Sequence, residues 1–266
     1  MISRVAVTSG VLLMAACGEP QADHAAVDYE RETHWGYSGE EGPEHWAELD
    51  SDYALCGSGT EQSPIDLRDA TIVEGASLER QYRASAVSIA RNEHAVDLLD
   101  NGHTIQITYD AGSTLEVDGI IFELVQFHFH APSEHTVDGQ YYPMEMHFVH
   151  QSENGELAVI GVFVAEGEHS DAFQAIVEGL PSEVGEERHF DDVDLDVDAF
   201  VPEQTEFYRY SGSLTTPPCS EGVRWIVLRN PLVVSAEQIG AFEDLLHDNN
   251  RPVQAVGERR VELVQK

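Results

Sequence analysis

The length and charge of this chain narrow the possible functions before any motif is considered. Its 266 residues include 49 acidic and only 14 basic residues, which gives a formal net charge of −35. Because the acidic residues are spread along the whole chain, its surface repels nucleic acid and anionic lipid headgroups, and a polyanion-binding function is disfavoured. The same excess of acidic residues is compatible with function in high salt, where dissolved ions screen the repulsion between the negative side chains. The length suits one large domain, and short apolar runs separated by glycine and proline predict a mainly β fold.

Residues 1–17 are predicted to be an export signal. Arg4 is followed by a mostly apolar stretch at 5–14 and then by Ala15-Ala16-Cys17. Small residues before a cysteine resemble the lipobox of bacterial lipoproteins, in which the cysteine is lipidated; the alternative is an ordinary signal peptide. Either one predicts an exported protein on the periplasmic side, with a lipid anchor at Cys17 in the first case. Residues 18–31 are acidic and lack periodicity, so they are predicted to be a flexible tether before a domain at 32–266.

The predicted elements follow in chain order. Residues 32–60 are irregular, and Trp35 and Trp46 within them are expected to pack as a lid on a core. A short helix is predicted at 173–180, and a second after Ser235, which forms a capping-box pattern with Gln238. The acidic run 191–198 is expected to be a solvated loop. Strands are predicted from about residue 87 onward by alternating or continuous apolar character, notably at 105–109, 115–117, 120–129, 144–150, 157–165 and 225–228.

Cys56 and Cys219 are the cysteines that remain once Cys17 is set aside. In an exported protein, two such cysteines predict one disulfide, here between the N-terminal lid and the loop around Pro217-Pro218. A free buried pair is the alternative.

A row of histidines in two predicted strands indicates a metal site. In an extended strand at 126–130, Gln126, His128 and His130 point to one face and the two phenylalanines to the other. The stretch 145–149 repeats this pattern and places His147 on one face. Three neutral imidazoles from neighbouring strands predict a catalytic zinc site with an open position for water. A strand with simple polar alternation is the alternative.

The acceptors that hold such ligands are also present in the pattern. A metal-binding imidazole normally passes its second N–H to a fixed acceptor, and Gln126 and Glu145 lie two residues from ligands on the same faces.

Seven blocks of sequence resemble, in the same order, the α-class carbonic anhydrases across residues 32–262. The resemblance implies a large, mostly antiparallel, twisted central sheet with short peripheral helices and an active-site cone with zinc at its base. It implies reversible hydration of carbon dioxide to bicarbonate and a proton, with zinc hydroxide as nucleophile and weak esterase activity beside it. It also implies small-molecule partners only and a monomer or homodimer. The blocks are His34-Trp35-Gly36-Tyr37, Gln62-Ser63-Pro64-Ile65-Asp66, Asn101-Gly102-His103, Gln126 to His130, Ser133-Glu134-His135-Thr136, Glu145 to His150 and Ser213-Leu214-Thr215-Thr216-Pro217-Pro218.

The same resemblance implies a role for each matched residue. His128, His130 and His147 would bind zinc, with Gln126 and Glu145 as their acceptors. Thr215 would accept a hydrogen bond from the hydroxide and donate its own proton to Glu134, which as a carboxylate can only accept. His135 and His150 match structural positions of the family.

The substrate pocket and the proton path are implied in the same way. His103 would be the proton shuttle, with Tyr37 and Asn101 ordering the water chain, since an imidazole titrates near neutral pH. The apolar wall that receives carbon dioxide, together with the product site, would consist of Val149, Val159, Leu214, Thr215, Thr216, Val223 and Trp225.

Two other functions are weighed against this enzyme. One is a carbonic-anhydrase-like binding module that has lost catalysis, but such proteins usually have a broken ligand set and this chain does not. The other is a zinc hydrolase with a different main substrate, for which no distinguishing motif is present.

A late block, Asn249-Asn250-Arg251-Pro252, resembles the family but carries Asn250 where an aromatic residue is common.

Overall fold

A single large sheet organises the residues that the structure describes. The computed structural model describes residues 33–75, 78–83, 85–92, 104–109, 111–181, 187–202 and 206–265, with side chains described except at 85–92 and 187–194. Among them, thirteen strands form one sheet, and two short strands pair separately. Nine of its twelve strand pairs are antiparallel, so the predicted mainly β fold with a mostly antiparallel central sheet is confirmed.

The strands are numbered in chain order. They are β1 Thr71–Glu74, β2 Glu79–Gln81, β3 Ser85–Asn92, β4 Thr104–Tyr109, β5 Thr114–Val117, β6 Ile120–His130, β7 Thr136–Val137, β8 Gln140–Tyr141, β9 Met144–Ser152, β10 Leu157–Glu166, β11 Glu187–Leu195, β12 Phe207–Ser213, β13 Glu221–Leu228, β14 Leu232–Val234 and β15 Glu262–Gln265. The order across the sheet is β1-β15-β12-β13-β10-β9-β6-β4-β3-β11, with β5 also beside β6, β2 beside β5 and β14 beside β10. The parallel pairs are β1 with β15 and β10 with β13 and β14.

The helices are short and lie outside the sheet. They are α1 Trp46–Leu49, α2 Leu55–Ser58, α3 Asp171–Gly179 and α4 Ala236–Leu246, with 3-10 turns at Gly39–Glu41, Ser51–Tyr53 and Val197–Phe200. The predicted capping box is present at the start of α4, where Ser235 and Gln238 satisfy each other's backbone N–H groups. No helix in the described part of the chain is both long and apolar enough to span a membrane.

A β-bulge in β6 decides which face the histidines occupy. In the pairing with β9, Leu124 lies opposite His150 and Gln126 lies opposite Val149, so Val125 is an extra residue. Before the bulge the even-numbered Leu124 lies in the main core, whereas after it the odd-numbered phenylalanines do. Without this extra residue, the row from Gln126 to His130 would share a face with Leu124.

The two faces of the sheet pack into different cores. On one face, Phe127, Phe129 and Phe148 pack with residues of α3 and α4 in the main core. On the other, Val149, Val159 and Trp225 belong to a smaller cluster beside the histidines. The metal-site residues therefore stand on a strand pair whose opposite face is fixed by aromatic packing.

The N-terminal lid packs as predicted. Trp35 and Trp46 are fully buried, and their rings meet edge to face at 5.3 Å between centroids. A disulfide joins Cys56 to Cys219 across 163 residues and confirms the predicted pairing. Two single-turn helices, α1 and α2, lie in this segment, where the sequence analysis predicted irregular structure.

The acidic run at 191–198 is not the solvated loop that was predicted. Its first part belongs to strand β11, which forms the edge of the sheet and, within the part of the chain that the structure describes, pairs only with β3. The register between them shifts between Phe190 and Leu195, so the acidic residues occupy an irregular stretch of an edge strand. Charged residues are common on edge strands because they discourage pairing with further chains.

Candidate metal centre

Three buried histidines converge on one point at the site face of the sheet. Within the described residues, His128, His130 and His147 each offer a ring nitrogen, and these nitrogens lie within 4.8 Å of one another. The antiparallel register of β6 and β9 places His128 directly opposite His147. All three side chains are almost completely buried. The hairpin return therefore brings together the residues that the alternating pattern predicted.

The second nitrogen of each ring faces an acceptor. His128 Nδ1 donates to Gln126 Oε1 at 2.9 Å, and His130 Nδ1 donates to the backbone oxygen of Asn249 at 2.7 Å. His147 Nε2 lies 3.0 Å from Glu145 Oε1, although this contact lacks hydrogen-bond geometry. These contacts leave Nε2 of His128, Nε2 of His130 and Nδ1 of His147 facing one another.

The electrostatics of the site favour neutral imidazoles. Burial lowers the pKa of both His128 and His130, and the neighbouring imidazoles lower them further. Burial alone would raise the pKa of Glu145. The attraction of His135 and His147, together with the hydrogen bond from His135 Nδ1, outweighs it, so the pKa of Glu145 is held well below its ordinary value. The rings of His128 and His130 are therefore kept in the neutral form that binds metal.

A chain of hydrogen bonds holds Glu145 in place. Its Oε2 accepts from the backbone N–H groups of Glu134 and His135 at 2.9 and 2.8 Å, and its Oε1 accepts from His135 Nδ1 at 2.7 Å. His135 Nε2 in turn contacts the Tyr210 hydroxyl at 2.7 Å, which contacts Ser63 Oγ at 2.9 Å. The structural position expected for His135 is thus a support for the acceptor of His147.

The chemistry of this donor set fits zinc. Zinc prefers three neutral histidine nitrogens when a fourth position is kept for water, with the opposite ring nitrogens held by acceptors. His130 Nε2 is buried and makes no hydrogen bond, which is costly for a polar atom unless a partner binds there.

Glu134 lies beside the histidines but not in the predicted hydrogen bond. The Thr215–Glu134 hydrogen bond is absent: Glu134 Oε1 accepts from the Arg251 backbone N–H at 2.8 Å, and Oε2 has no hydrogen-bond donor. Oε2 lies 3.5 Å from His130 Nε2 and 3.8 Å from His147 Nδ1, so this oxygen faces two of the imidazoles. Glu134 and Thr215 are therefore not hydrogen-bonded to each other in this structure.

A small cavity next to the histidines is lined by most of the residues predicted to contact the substrate. Its volume is about 20 Å³. Val223, also predicted, is buried in the same cluster but does not line it. The lining residues are His128, His147, Val149, Val159, Leu214, Thr215, Thr216 and Trp225.

A much larger cleft, about 560 Å³, lies away from the histidines. Its lining includes residues of β2, β5, β12, β13 and β15, among them Arg209 and Arg224. Both arginines are paired with carboxylates, those of Glu262 and Glu156. Its size alone therefore gives no reason to place the chemistry there.

Tyr37, predicted to lie on the proton path, packs against Trp35 and Trp46 of the N-terminal lid. Burial and the charge of Glu134 raise the pKa of Tyr37 well above its ordinary value, so its hydroxyl stays protonated. Asn101, His103 and Cys17, with the predicted signal and tether, lie outside the described residues.

Two contacts of the site were missed by the sequence analysis. The acceptor of His130 is a backbone carbonyl, that of Asn249, and a carbonyl leaves no signal in the sequence. Gln106 in β4 lies directly opposite His128 and is buried on the same face. The polar alternation of Thr104, Gln106 and Thr108 was visible and could have revealed it.

Comparisons with known proteins decide the family. A family model described as eukaryotic-type carbonic anhydrase matches residues 41–265. The chain belongs to the α carbonic anhydrase family. Members of this family are lyases, and the chain is accordingly a carbonate dehydratase by family. A carbonic anhydrase of Nostoc sp. PCC 7120 is 43% identical over 227 residues, which cover 85% of this chain and 84% of that protein.

Solved structures agree with this family. The α-carbonic anhydrase of Thermovibrio ammonificans, in complex with the inhibitor sulfanilamide, has a TM-score of 0.80 and 44% identity, covering 86% of this chain and 99% of that one. A dioscorin in complex with ascorbate also shares the fold, with a TM-score of 0.78, 27% identity and coverage of 87% and 98%. Because a protein of another name has this fold, the function of this α carbonic anhydrase has to be argued from its site residues.

Proposed function

We propose that this chain is a zinc enzyme that hydrates carbon dioxide reversibly to bicarbonate and a proton. The observation that carries the proposal is the group of three buried histidines, with their ring nitrogens within 4.8 Å, two of which, His128 and His147, line a small apolar cavity. His128, His130 and His147 would hold the zinc. When bound, zinc lowers the pKa of a coordinated water to about 7 and so supplies a nucleophile at neutral pH.

The cavity would bind the substrate through its apolar side. Carbon dioxide is small and has no charge, so Val149, Val159 and Trp225 can receive it without a polar partner. Thr216, at the same cavity, would contact the bicarbonate product. The ring of Trp225 is itself packed at 4.8 Å from His147 between centroids, which fixes the substrate wall relative to the metal ligand.

Thr215 and Glu134 would orient the reacting groups. Glu134 Oε2 is a buried acceptor without a hydrogen-bond donor, and the Thr215 hydroxyl at the nearby cavity is a group that can supply one. A carboxylate only accepts, so this hydrogen bond would direct the threonine lone pairs into the cavity. The nucleophile would then be held with its lone pair toward carbon dioxide.

The proton would leave through His103. An imidazole with a pKa near 6.5 can accept a proton from the site and release it to buffer. Tyr37 and Asn101 would order the water between them. Weak hydrolysis of activated esters would accompany the main reaction, since the same nucleophile can attack a carbonyl.

The test is stopped-flow hydration of carbon dioxide by the purified protein. Activity is expected with zinc bound, and it should disappear on removal of zinc with a chelator or on addition of a sulfonamide. A zinc-loaded sample without hydration activity would overturn the enzyme and favour a binding module of the same fold. An intact set of three histidines, Glu134 and Thr215 argues for the enzyme.

We also propose that the protein acts outside the cytoplasm, attached through lipidated Cys17. The buried disulfide between Cys56 and Cys219 supports an oxidising compartment. Incorporation of a labelled fatty acid by the wild type, and its loss in Cys17→Ser with release from the membrane fraction, would support the anchor. Absence of label from the wild type would exclude it.

A further inference from the structure

One three-residue segment, 249–251, touches the metal centre at several points. The Asn249 backbone oxygen accepts from His130 Nδ1 at 2.7 Å. The Asn249 side chain also accepts from the Ala131 N–H and donates to the Phe129 oxygen, each at 2.9 Å. The Arg251 N–H donates to Glu134 Oε1 at 2.8 Å. This segment therefore positions one histidine of the site, the end of its strand and the nearby carboxylate.

The backbone that makes these contacts has no regular secondary structure of its own. The segment follows α4 after two residues with left-handed backbone angles, His247 and Asp248, and it does not belong to a strand. An irregular segment keeps a fixed position only when other groups hold it there. The question is which side chain supplies this support.

The Arg251 side chain fastens the segment to the N-terminal lid. Its Nη1 donates to Gln62 Oε1 at 2.9 Å and to the Ser63 oxygen at 2.7 Å, and its Nη2 donates to the Cys56 oxygen at 3.0 Å. The guanidinium also lies over the Trp46 ring, 5.5 Å from its centroid. The three hydrogen-bond partners lie 188 to 195 residues before Arg251 in the sequence, and Trp46 lies farther still.

The guanidinium is held as a rigid fork and not as half of a close ion pair. Arg251 is 1% exposed, and its guanidinium donates to the neutral oxygens of Gln62, Ser63 and Cys56. Burial lowers the pKa of Arg251 to about 10, which still leaves it charged at neutral pH. A planar group with several donors can span three oxygens, whereas a lysine ammonium is a single point charge.

We propose that Arg251 is a positioning residue for the metal centre. Its side chain anchors segment 249–251 to the lid, and the segment in turn orients His130 through the Asn249 carbonyl and Glu134 through its own N–H. This inference rests on the proposed zinc function. It adds to that function a residue, Arg251, that does not line the substrate cavity and acts on the histidines only through segment 249–251.

The test compares Arg251→Met and Arg251→Lys with the wild type. Each protein is loaded with zinc and transferred into excess chelator, and zinc release is followed over time. Loss of an outer contact to a ligand typically weakens metal binding or activity by about 10- to 100-fold, so Arg251→Met should release zinc faster by that order. Arg251→Lys should fall between, because it keeps the charge but not the fork. Both kcat and kcat/KM for carbon dioxide should fall together, as expected when orientation in the transition state is lost.

Arg80→Met is the matched control. Arg80 is also mostly buried and joins two segments, through Asp198 at 2.9 Å and the Val201 oxygen at 2.7 Å, and both of these partners lie outside the site. It should lower the melting temperature without changing zinc release by more than about twofold, which is the expectation for purely structural damage.

The outcomes separate this inference from the proposed function. Unchanged zinc release and kcat in a folded Arg251→Met would overturn the inference, as would an equal effect of Arg80→Met. If Arg251→Met fails to fold, Arg251→Lys decides by the same criteria. A wild type that takes up no zinc would overturn the proposed function and this inference with it, whereas an active, zinc-loaded wild type beside unaffected Arg251 variants would overturn the inference alone.

Discussion

His150 should make the stability of this protein depend on pH in a way that one substitution can reveal. The residue lies in β9 on the face opposite His147 and is fully buried. Its Nε2 is hydrogen-bonded to the Tyr82 hydroxyl at 2.7 Å, and the two rings stack at 5.7 Å between centroids. Burial lowers the pKa of His150 from 6.5 to about 4, so the folded protein holds this imidazole neutral.

The sign and size of the effect follow from these two values. Above pH 6.5 the imidazole is neutral in both the folded and the unfolded chain, and it adds no pH dependence. As pH falls from 6.5 to about 4, the unfolded chain binds a proton that the folded protein does not, so stability is lost. Each pH unit in this window costs about 1.4 kcal/mol, which gives a loss of about 3 kcal/mol in all.

His150→Gln removes the titrating group and keeps a side chain that can bond to Tyr82. Its free energy of unfolding by urea should be below that of the wild type at pH 7, since the packing is imperfect. The gap should then narrow by about 3 kcal/mol between pH 6.5 and pH 4. The measurements are made with a chelator present, so that release of metal does not contribute to the pH dependence of stability. His169 is exposed, and His169→Gln serves as the control for the removal of an imidazole.

A constant difference between wild type and His150→Gln across this pH range would refute the reasoning. It would mean that His150 is protonated in the folded protein at pH 5, or that the site admits enough water to solvate the charge.

Four further predictions concern the site and the stability of the fold. Gly161 lies opposite His147, and a Cβ at this position would be 2.8 Å from Glu145 Oε1. Gly161→Ala should therefore displace the Glu145 carboxylate and accelerate zinc release about tenfold. Release at the wild-type rate would contradict this role for the glycine. His103→Ala should lower turnover in weak buffer without changing zinc content, and added imidazole should restore it; unaltered turnover would exclude the shuttle. Replacing both cysteines of the disulfide by alanine should cost about 5 kcal/mol in urea unfolding, because the bond closes a loop of 163 residues; a loss below about 1 kcal/mol would argue against entropic stabilisation. The melting temperature should rise from low to molar NaCl, since screening relieves the repulsion of a net charge of −35, and a flat response would speak against adaptation to salt.

Much of the sheet was predictable because its signals are local. The alternation at 126–130 and 145–149 identified both the strands and the faces of their histidines, and the hairpin return confirmed that the three rings meet. The capping box at Ser235 and the pairing of Cys56 with Cys219 were also correct. These predictions depend on residues close in sequence, or on the small number of cysteines available to pair.

Other features were not predictable because no local pattern encodes them. The acidic run at 191–198 looked solvated, yet its backbone completes the sheet edge beside β3. The Glu134 carboxylate lies beside His130 and His147, a proximity that no sequence pattern indicates. Both outcomes depend on competition between partners that only the folded chain brings together.

The sequence by itself determined the kind of site, because side-chain alternation in a strand is a property of the backbone and three histidines on one face have one obvious chemistry. The tertiary structure decided how that site is held. The bulge at Val125 sets the face of the ligand row, the Asn249 carbonyl orients His130, and Arg251 reaches across the fold to the lid. Each of these is a contact with a backbone group or a register between strands, and neither is written in the identity of a side chain.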